Sequence, residues 1–213
     1  MALTRQKSKT VQTMKWSTQN KQNKALASSA ENTKRNRVRL TLTIYEMTLF
    51  SMFGALMFMS KKLMEALPNM HLLGMLIVLL TVVYRFKALI PIYIYVFLDG
   101  VMAGFAPWWL PYLYVWAVLW AVAMLIPKNI QRKYAVFVYP LVCALHGLLF
   151  GTLYAPAQAL LYSLNFSQMI AWIVAGFPYD VIHAVCNLFL GILVYPLAAL
   201  LRKLESSVYS KVK

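Results

Sequence analysis

Five ionisable residues of this 213-residue chain fall within long apolar stretches: Glu46, Asp99, His146, Asp180 and His183. Ionisable groups at membrane depth are costly and usually face a cavity or a partner. At 100° per helical residue, Asp180, His183 and Asn187 lie within about 60° on one face. They cover about 10 Å along the axis. The opposite face, Val181, Val185, Phe189 and Ile192, suits lipid or packing. Three readings of the polar stripe stand: an outward pocket filled by water or ligand, a polar seam between helices, or a metal site shared with His146. No HExxH spacing accompanies the last. Glu46 lies two turns from Arg39 on one face, which predicts an ion pair. Asp99 follows Tyr95 by one turn, and a structural hydrogen bond there stands beside a functional role.

Aromatic residues repeat the pattern. Tyr112, Trp116 and Trp120 form one stripe; His146, Phe150 and Tyr154 form another. Core packing is the ordinary fate of such stripes. Three neighbouring stripes with hydrogen-bonding groups instead describe a mostly apolar concave site with a few convergent polar groups. The intervening loops are rich in Pro and aromatics. One runs from Lys61 through Pro68-Asn69-Met70-His71, one is Ala106-Pro107-Trp108-Trp109-Leu110-Pro111-Tyr112, and one is Ala155-Pro156-Ala157-Gln158 continuing to Ser167. Trp and Tyr are common interfacial anchors, but a Trp-Trp pair between two prolines is stiffer than anchoring requires.

The elements that must hold these residues are membrane helices. The chain is 61% hydrophobic and 13% charged, against about 45–50% and about 25% for soluble domains. Small soluble enzyme, zinc finger and disordered protein are excluded by that balance. Cys143 and Cys186 lie in separate apolar stretches and form neither a disulfide framework nor a CxxC pair. A bilayer core needs about 20 helical residues. Six apolar runs qualify, near 40–59, 66–84, 88–106, 109–127, 134–156 and 168–201. Gly176-Phe177-Pro178 is expected to part a short lead-in from the sixth span. With both termini in the cytoplasm, 19 of the 21 Lys/Arg fall inside and only Lys61 and Lys62 outside, as the positive-inside rule demands. The fold expected is an all-α membrane protein of six transmembrane helices with both ends cytoplasmic.

Residues 1–39 carry ten Lys/Arg and one acidic residue, Glu31, with no Gly or Pro. Such a segment reads as a disordered cytoplasmic tail near anionic lipid. Its only aromatic is Trp16 and it carries no RNA-binding motif, so nucleic acid is not its expected partner. It lacks the form of a signal peptide. The domain division is then 1–39 tail, 40–203 six-span membrane domain and 204–213 short cytoplasmic end. Small-xxx-small motifs at Ser51/Ala55, Gly100/Gly104 and Gly147/Gly151 permit close helix approach. No Walker A sequence is present, so the chain does not itself hydrolyse ATP, and no inverted repeat marks an autonomous carrier.

Residues 40–203 resemble the substrate-binding S components of energy-coupling factor (ECF) vitamin importers. The likeness rests on six spans with both ends inside and on Ser51-x-x-x-Ala55. It rests also on Leu67-Pro68-Asn69-Met70-His71-Leu72-Leu73-Gly74, Trp108-Trp109-Leu110-Pro111-Tyr112-Leu113-Tyr114 and Ala144-Leu145-His146-Gly147. Gly151-Thr152-Leu153-Tyr154-Ala155-Pro156-Ala157-Gln158-Ala159 is similar as well. The resemblance implies a multi-pass protein of the bacterial plasma membrane that captures a vitamin or related micronutrient on the outer face. It implies a site built by spans four to six and capped by outer loops. The implied partners are a transmembrane scaffold subunit and two cytoplasmic ATPase subunits, with Ser51 and Ala55 docking the scaffold. It also implies toppling of the whole component in the bilayer.

Together these readings give a substrate-binding set of Asn69, His71, Trp108, Trp109, Tyr112, Trp116, His146, Tyr154, Gln158, Asp180, His183 and Asn187. No catalytic residue, metal or cofactor is expected. The aromatic lining suits a ring system, of cobalamin or another heteroaromatic type, and Asp180 suits a hydrogen-bond donor or positive charge on it. Two other classes stay open: a membrane-embedded enzyme using His146, Asp180 and His183, and a non-catalytic membrane scaffold whose polar seam is dry.

Overall fold

A computed structural model describes residues 44–66 and 70–211, and in the N-terminal part residues 19–20, 22–24 and 26. The chain divides into two units, Met1–Leu42 and Thr43–Lys213. The described residues of the first are helical. Arg39 and Asn69 lie outside the described residues.

The second unit is all-helical among its described residues. Its helices are α1 (Ile44–Leu63), α2 (Leu73–Tyr84), α3 (Leu89–Ala103), α4 (Tyr112–Met124), α5 (Arg132–Leu148), α6 (Phe150–Leu161), α7 (Phe166–Gly191) and α8 (Val194–Lys211). Four helical stretches are long and apolar enough to cross a membrane: Leu73–Ala103, Pro107–Met124, Arg132–Leu161 and Phe166–Gly191. Large apolar side chains stand outward on them. Phe97, Phe137 and Phe189 are 60%, 75% and 66% exposed, a surface that water would penalise and lipid accepts. These features mark a transmembrane protein.

Helix α2 is the core. Every residue from Leu73 to Val82 is buried. A helix that is apolar all round belongs inside its bundle. Its end is set by Arg85, whose positive φ of 56° turns the chain out of the helix direction. The Arg85 guanidinium donates to the carbonyls of Met124 and Ile126, holding that break against the far end of α4.

Contacts between distant turns gather into two sets. At one end Lys61 pairs with Asp99, Tyr154 donates to the Trp108 carbonyl, and Tyr114 donates to the Leu153 carbonyl. At the other, Lys87 pairs with Glu46, Trp120 donates to the Arg85 carbonyl, and Arg202 donates to Val82 and Lys128. Glu46 pairs with Lys87 at 2.6 Å; the Arg39 that the sequence spacing suggests for it lies outside the described residues. A single-sequence pattern sees helical neighbours but not the side chain that a turn 41 residues away brings up.

Three local features differ from the sequence reading. Helix α7 runs unbroken for 26 residues through Gly176 and Pro178, and the chain breaks instead at Ile192–Leu193. Pro removes one backbone bond, which a long membrane helix tolerates. The helix start is fixed by a capping box in which Asn165 and Gln168 exchange side-chain and backbone bonds. Secondly, Gly100 and Gly104 do not join two helices. Gly104 caps α3 with φ 86°, and the space beside Gly100 is filled by Phe105 and Trp109. Thirdly, the expected fifth span is divided at Leu149 into α5 and α6.

Candidate functional site

The break at Leu149 has a visible cause. In an unbroken helix the Gly151 amide would donate to the Gly147 carbonyl. Instead both carboxylate oxygens of Asp180 lie 3.1 Å from the Gly151 nitrogen. A side chain inserted into the i→i−4 ladder is a recognised cause of kinking, and a carboxylate at a helix N-terminus meets its exposed amides and positive dipole end. Gly151 is needed because a Cβ there would collide with Asp180. Gly147, one turn earlier, would place a Cβ 3.0 Å from the Ala184 backbone. The glycine pair thus brings α5 and α6 against α7.

That close approach assembles a circuit of rings. Trp116 and His146 centroids are 5.7 Å apart, His146 and Phe150 6.2 Å, and Phe150 and His183 5.1 Å. His183 and His71 are 4.7 Å apart, and His71 closes on Trp116 at 5.9 Å. Four elements contribute: the loop before α2, α4, the α5–α6 kink and α7. Trp116 and His183 are each 1% exposed.

The polar atoms of this circuit are poorly satisfied. Trp116 Nε1, His71 Nδ1, His146 Nδ1 and both His183 ring nitrogens are buried without a hydrogen-bond partner among the described residues. Asn187, one turn beyond His183 and fully buried, leaves both amide atoms unpaired. Its side chain is flanked by Gly74 and Gly147, where an added Cβ would lie 2.9 and 3.0 Å away. Most buried side-chain polar atoms have partners in native proteins, so this density of unpaired groups is the distinctive chemistry of the fold. Among the described residues no cluster of three or more His, Cys, Asp or Glu is arranged to hold a metal ion.

Phe150 and Tyr154 continue the aromatic wall outward as a stacked pair 5.9 Å apart. Tyr154 stacks in turn on Trp172 at 5.9 Å with planes 12° apart. Tyr112, Phe150, Tyr154, Trp172 and Asp180 help to line a cavity of about 430 Å³, within the usual range for small-molecule sites. Gln158 stands one turn past Tyr154, beside its hydroxyl.

The remaining candidates divide. Trp108 stays at the rim, edge-on to Tyr112 at 5.7 Å. Trp109 turns away: its indole donates to the Val96 carbonyl at 2.7 Å and meets Phe105 edge-on at 5.0 Å. Ser51 and Ala55 are exposed on α1, on the stripe beside Gly54, where α1 closes on Ile94 of α3.

Sequence reasoning left out three residues that the fold brings to this region. Lys61 places its ammonium 2.6 Å from Asp99 and over the rings of Tyr112 and Trp108, at 4.8 and 5.4 Å. Tyr95 is fully buried beside Trp116 at 6.2 Å. Trp172 was invisible as a partner of Tyr154. Only Lys61 carried a signal: it and Lys62 were the two basic residues at the sparsely charged end, and Asp99 was an acid without a near-sequence partner. His71 lies outside the spans, and burial, aided by the nearby Lys61 charge, lowers its pKa to about 4.

Comparison with protein-family models, with curated proteins and with solved structures finds no match.

Proposed function

We propose that this chain is the membrane-embedded substrate-binding component of an ECF-type importer in the bacterial plasma membrane. It captures a vitamin-like micronutrient on the outer face and delivers it with a scaffold subunit and two ATPases. The observation that carries the reading is the buried circuit of Trp116, His146, Phe150, His183 and His71, with its unpaired nitrogens. A core evolved only for packing would replace such groups with apolar ones, because an unsatisfied buried polar group costs about 1–3 kcal/mol. A substrate that supplies the missing partners recovers that cost on binding. Six spans and cytoplasmic termini belong to the same proposal. They are supported by the gathering of Arg85, Lys87 and Arg202 at the end opposite Lys61 and Asp99.

One observation favours a second reading. Asp180 is committed to the Gly151 amide, and Asn187 is wedged between two glycines. Both are what a structural seam in a scaffold protein would need.

The test is purification from the native host in mild detergent. The first reading expects a membrane scaffold and two ATPases to accompany the chain. It also expects Ser51→Leu with Ala55→Leu to release them while the isolated chain still binds substrate, since bulk on that exposed stripe blocks helix approach. Recovery of the chain without any ATPase contradicts it.

A further inference from the structure

We infer that the substrate is an uncharged, planar cyclic amide: a ring in which an N–H donor stands beside a carbonyl acceptor. This deepens the substrate-binding reading and rests on it.

The hydrogen-bond polarity of the site can be read atom by atom. His146 Nε2 lies 3.1 Å from the Val115 carbonyl oxygen. A carbonyl only accepts, so Nε2 carries the proton and the buried, unpaired Nδ1 is an acceptor. Trp116 Nε1 is a donor and nothing else, and it too is unpaired. His183 in its neutral form offers one donor and one acceptor, both unused. The Asn187 amide, one turn deeper, again offers one group of each kind. The unpaired groups behind Phe150 therefore include both donors and acceptors, and a molecule that satisfies them must carry both along one edge. An adjacent N–H and C=O on a ring meets that demand with the fewest atoms.

Charge is disfavoured on the same grounds. Among the described residues the cation close by is Lys61, which is engaged with Asp99 at 2.6 Å. Asp180 points both oxygens at the Gly151 amide. The unpaired groups themselves are all neutral in type once the imidazoles are unprotonated. An anionic ligand group placed among them would be buried without a counter-charge, which is strongly unfavourable, and a cationic one would find only Asp180, whose oxygens face the Gly151 amide. Planarity follows from the walls. The Phe150 ring belongs both to the circuit and to the cavity of about 430 Å³. A flat ring lying there stacks on Phe150 and Tyr154 while its edge reaches inward.

The experiment uses the full chain in detergent, with melting temperature and calorimetric titration as readouts. Hypoxanthine, isocytosine and lumazine are the neutral cyclic amides. Orotate is the anion, 1-methylnicotinamide the cation, and 1-methylhypoxanthine the probe with the ring N–H blocked. At least one cyclic amide should raise the melting temperature saturably. Blocking the N–H, or His146→Phe, should weaken binding by about 10-fold or more, as loss of one good hydrogen bond does. The methylated probe needs no variant, so a poorly folding His146→Phe does not spoil the test. Tighter binding of orotate or 1-methylnicotinamide, or no effect of methylation, overturns the cyclic-amide assignment but leaves the importer reading standing. Absence of a shift with all three cyclic amides overturns the assignment as well. The importer reading fails separately, on the absence of ATPase partners.

Discussion

Asp180 and Gly151, 29 residues apart, are joined by one backbone amide donating to two carboxylate oxygens at equal distances of 3.1 Å. The pair fixes where α5 ends and α6 begins, and so fixes the angle at which His146 and Phe150 meet His183. Asp180→Asn weakens the acceptor and removes its charge from the helix terminus. The expected result is an apo protein destabilised by about 1–3 kcal/mol and a loss of affinity that follows from the displaced rings. The check is melting temperature and affinity measured on the same preparation. Gly151→Ala should be more severe, because its Cβ has no room beside Asp180.

The Lys61–Asp99 pair gives the sharpest stability prediction. Asp99 has only 1% of its side chain exposed, whereas Lys61 keeps 19%. Lys61→Met leaves a buried carboxylate without its partner and should cost about 3–5 kcal/mol. Asp99→Asn leaves a lysine that reaches water by extending its chain, and should cost less. Chemical denaturation of both variants gives the order, and a milder Lys61→Met contradicts the geometry.

The two rim tryptophans should separate. Trp109 serves the fold through Val96 and Phe105, so Trp109→Ala should lower stability with affinity little changed. Trp108 stands at the mouth under Lys61 and against Tyr112, so Trp108→Ala should weaken substrate binding with a smaller effect on melting. Equal behaviour of the two variants would return both to simple membrane anchoring.

The helix faces were readable in the sequence because a period of 3.6 shows directly which residues share a stripe. Asp180, His183 and Asn187 are indeed all buried on one side of α7. Their partners were not readable. Lys61 meets Asp99 across 38 residues, and no periodicity links them. The kink at Leu149 has no Pro or Gly at the break itself, so its cause, a carboxylate arriving from another helix, exists only in three dimensions. Conversely, Gly176 and Pro178 look like a break, yet α7 continues through them because its other backbone bonds suffice.

His71 should make the fold acid-sensitive. Its pKa is lowered to about 4 from an ordinary 6.5. Between those values the unfolded chain binds more protons than the native one, so stability is fully present above about pH 6.5 and falls as pH drops toward 4. Lys61, His146 and His183 are the other titratable groups near it. His71→Phe should flatten part of that decline. Melting curves of both proteins across this pH range provide the comparison, and identical pH slopes contradict the burial of an uncharged His71.

Native mass spectrometry of the protein taken from its own host tests the central claim most directly. If the unpaired groups around Trp116, His146 and His183 face a substrate, the wild-type protein should carry a small organic molecule that gentle activation releases. The His183→Phe variant, prepared alongside it and still folded, should carry little or none. A wild-type protein of bare polypeptide mass, or a molecule retained undiminished by His183→Phe, would contradict the account.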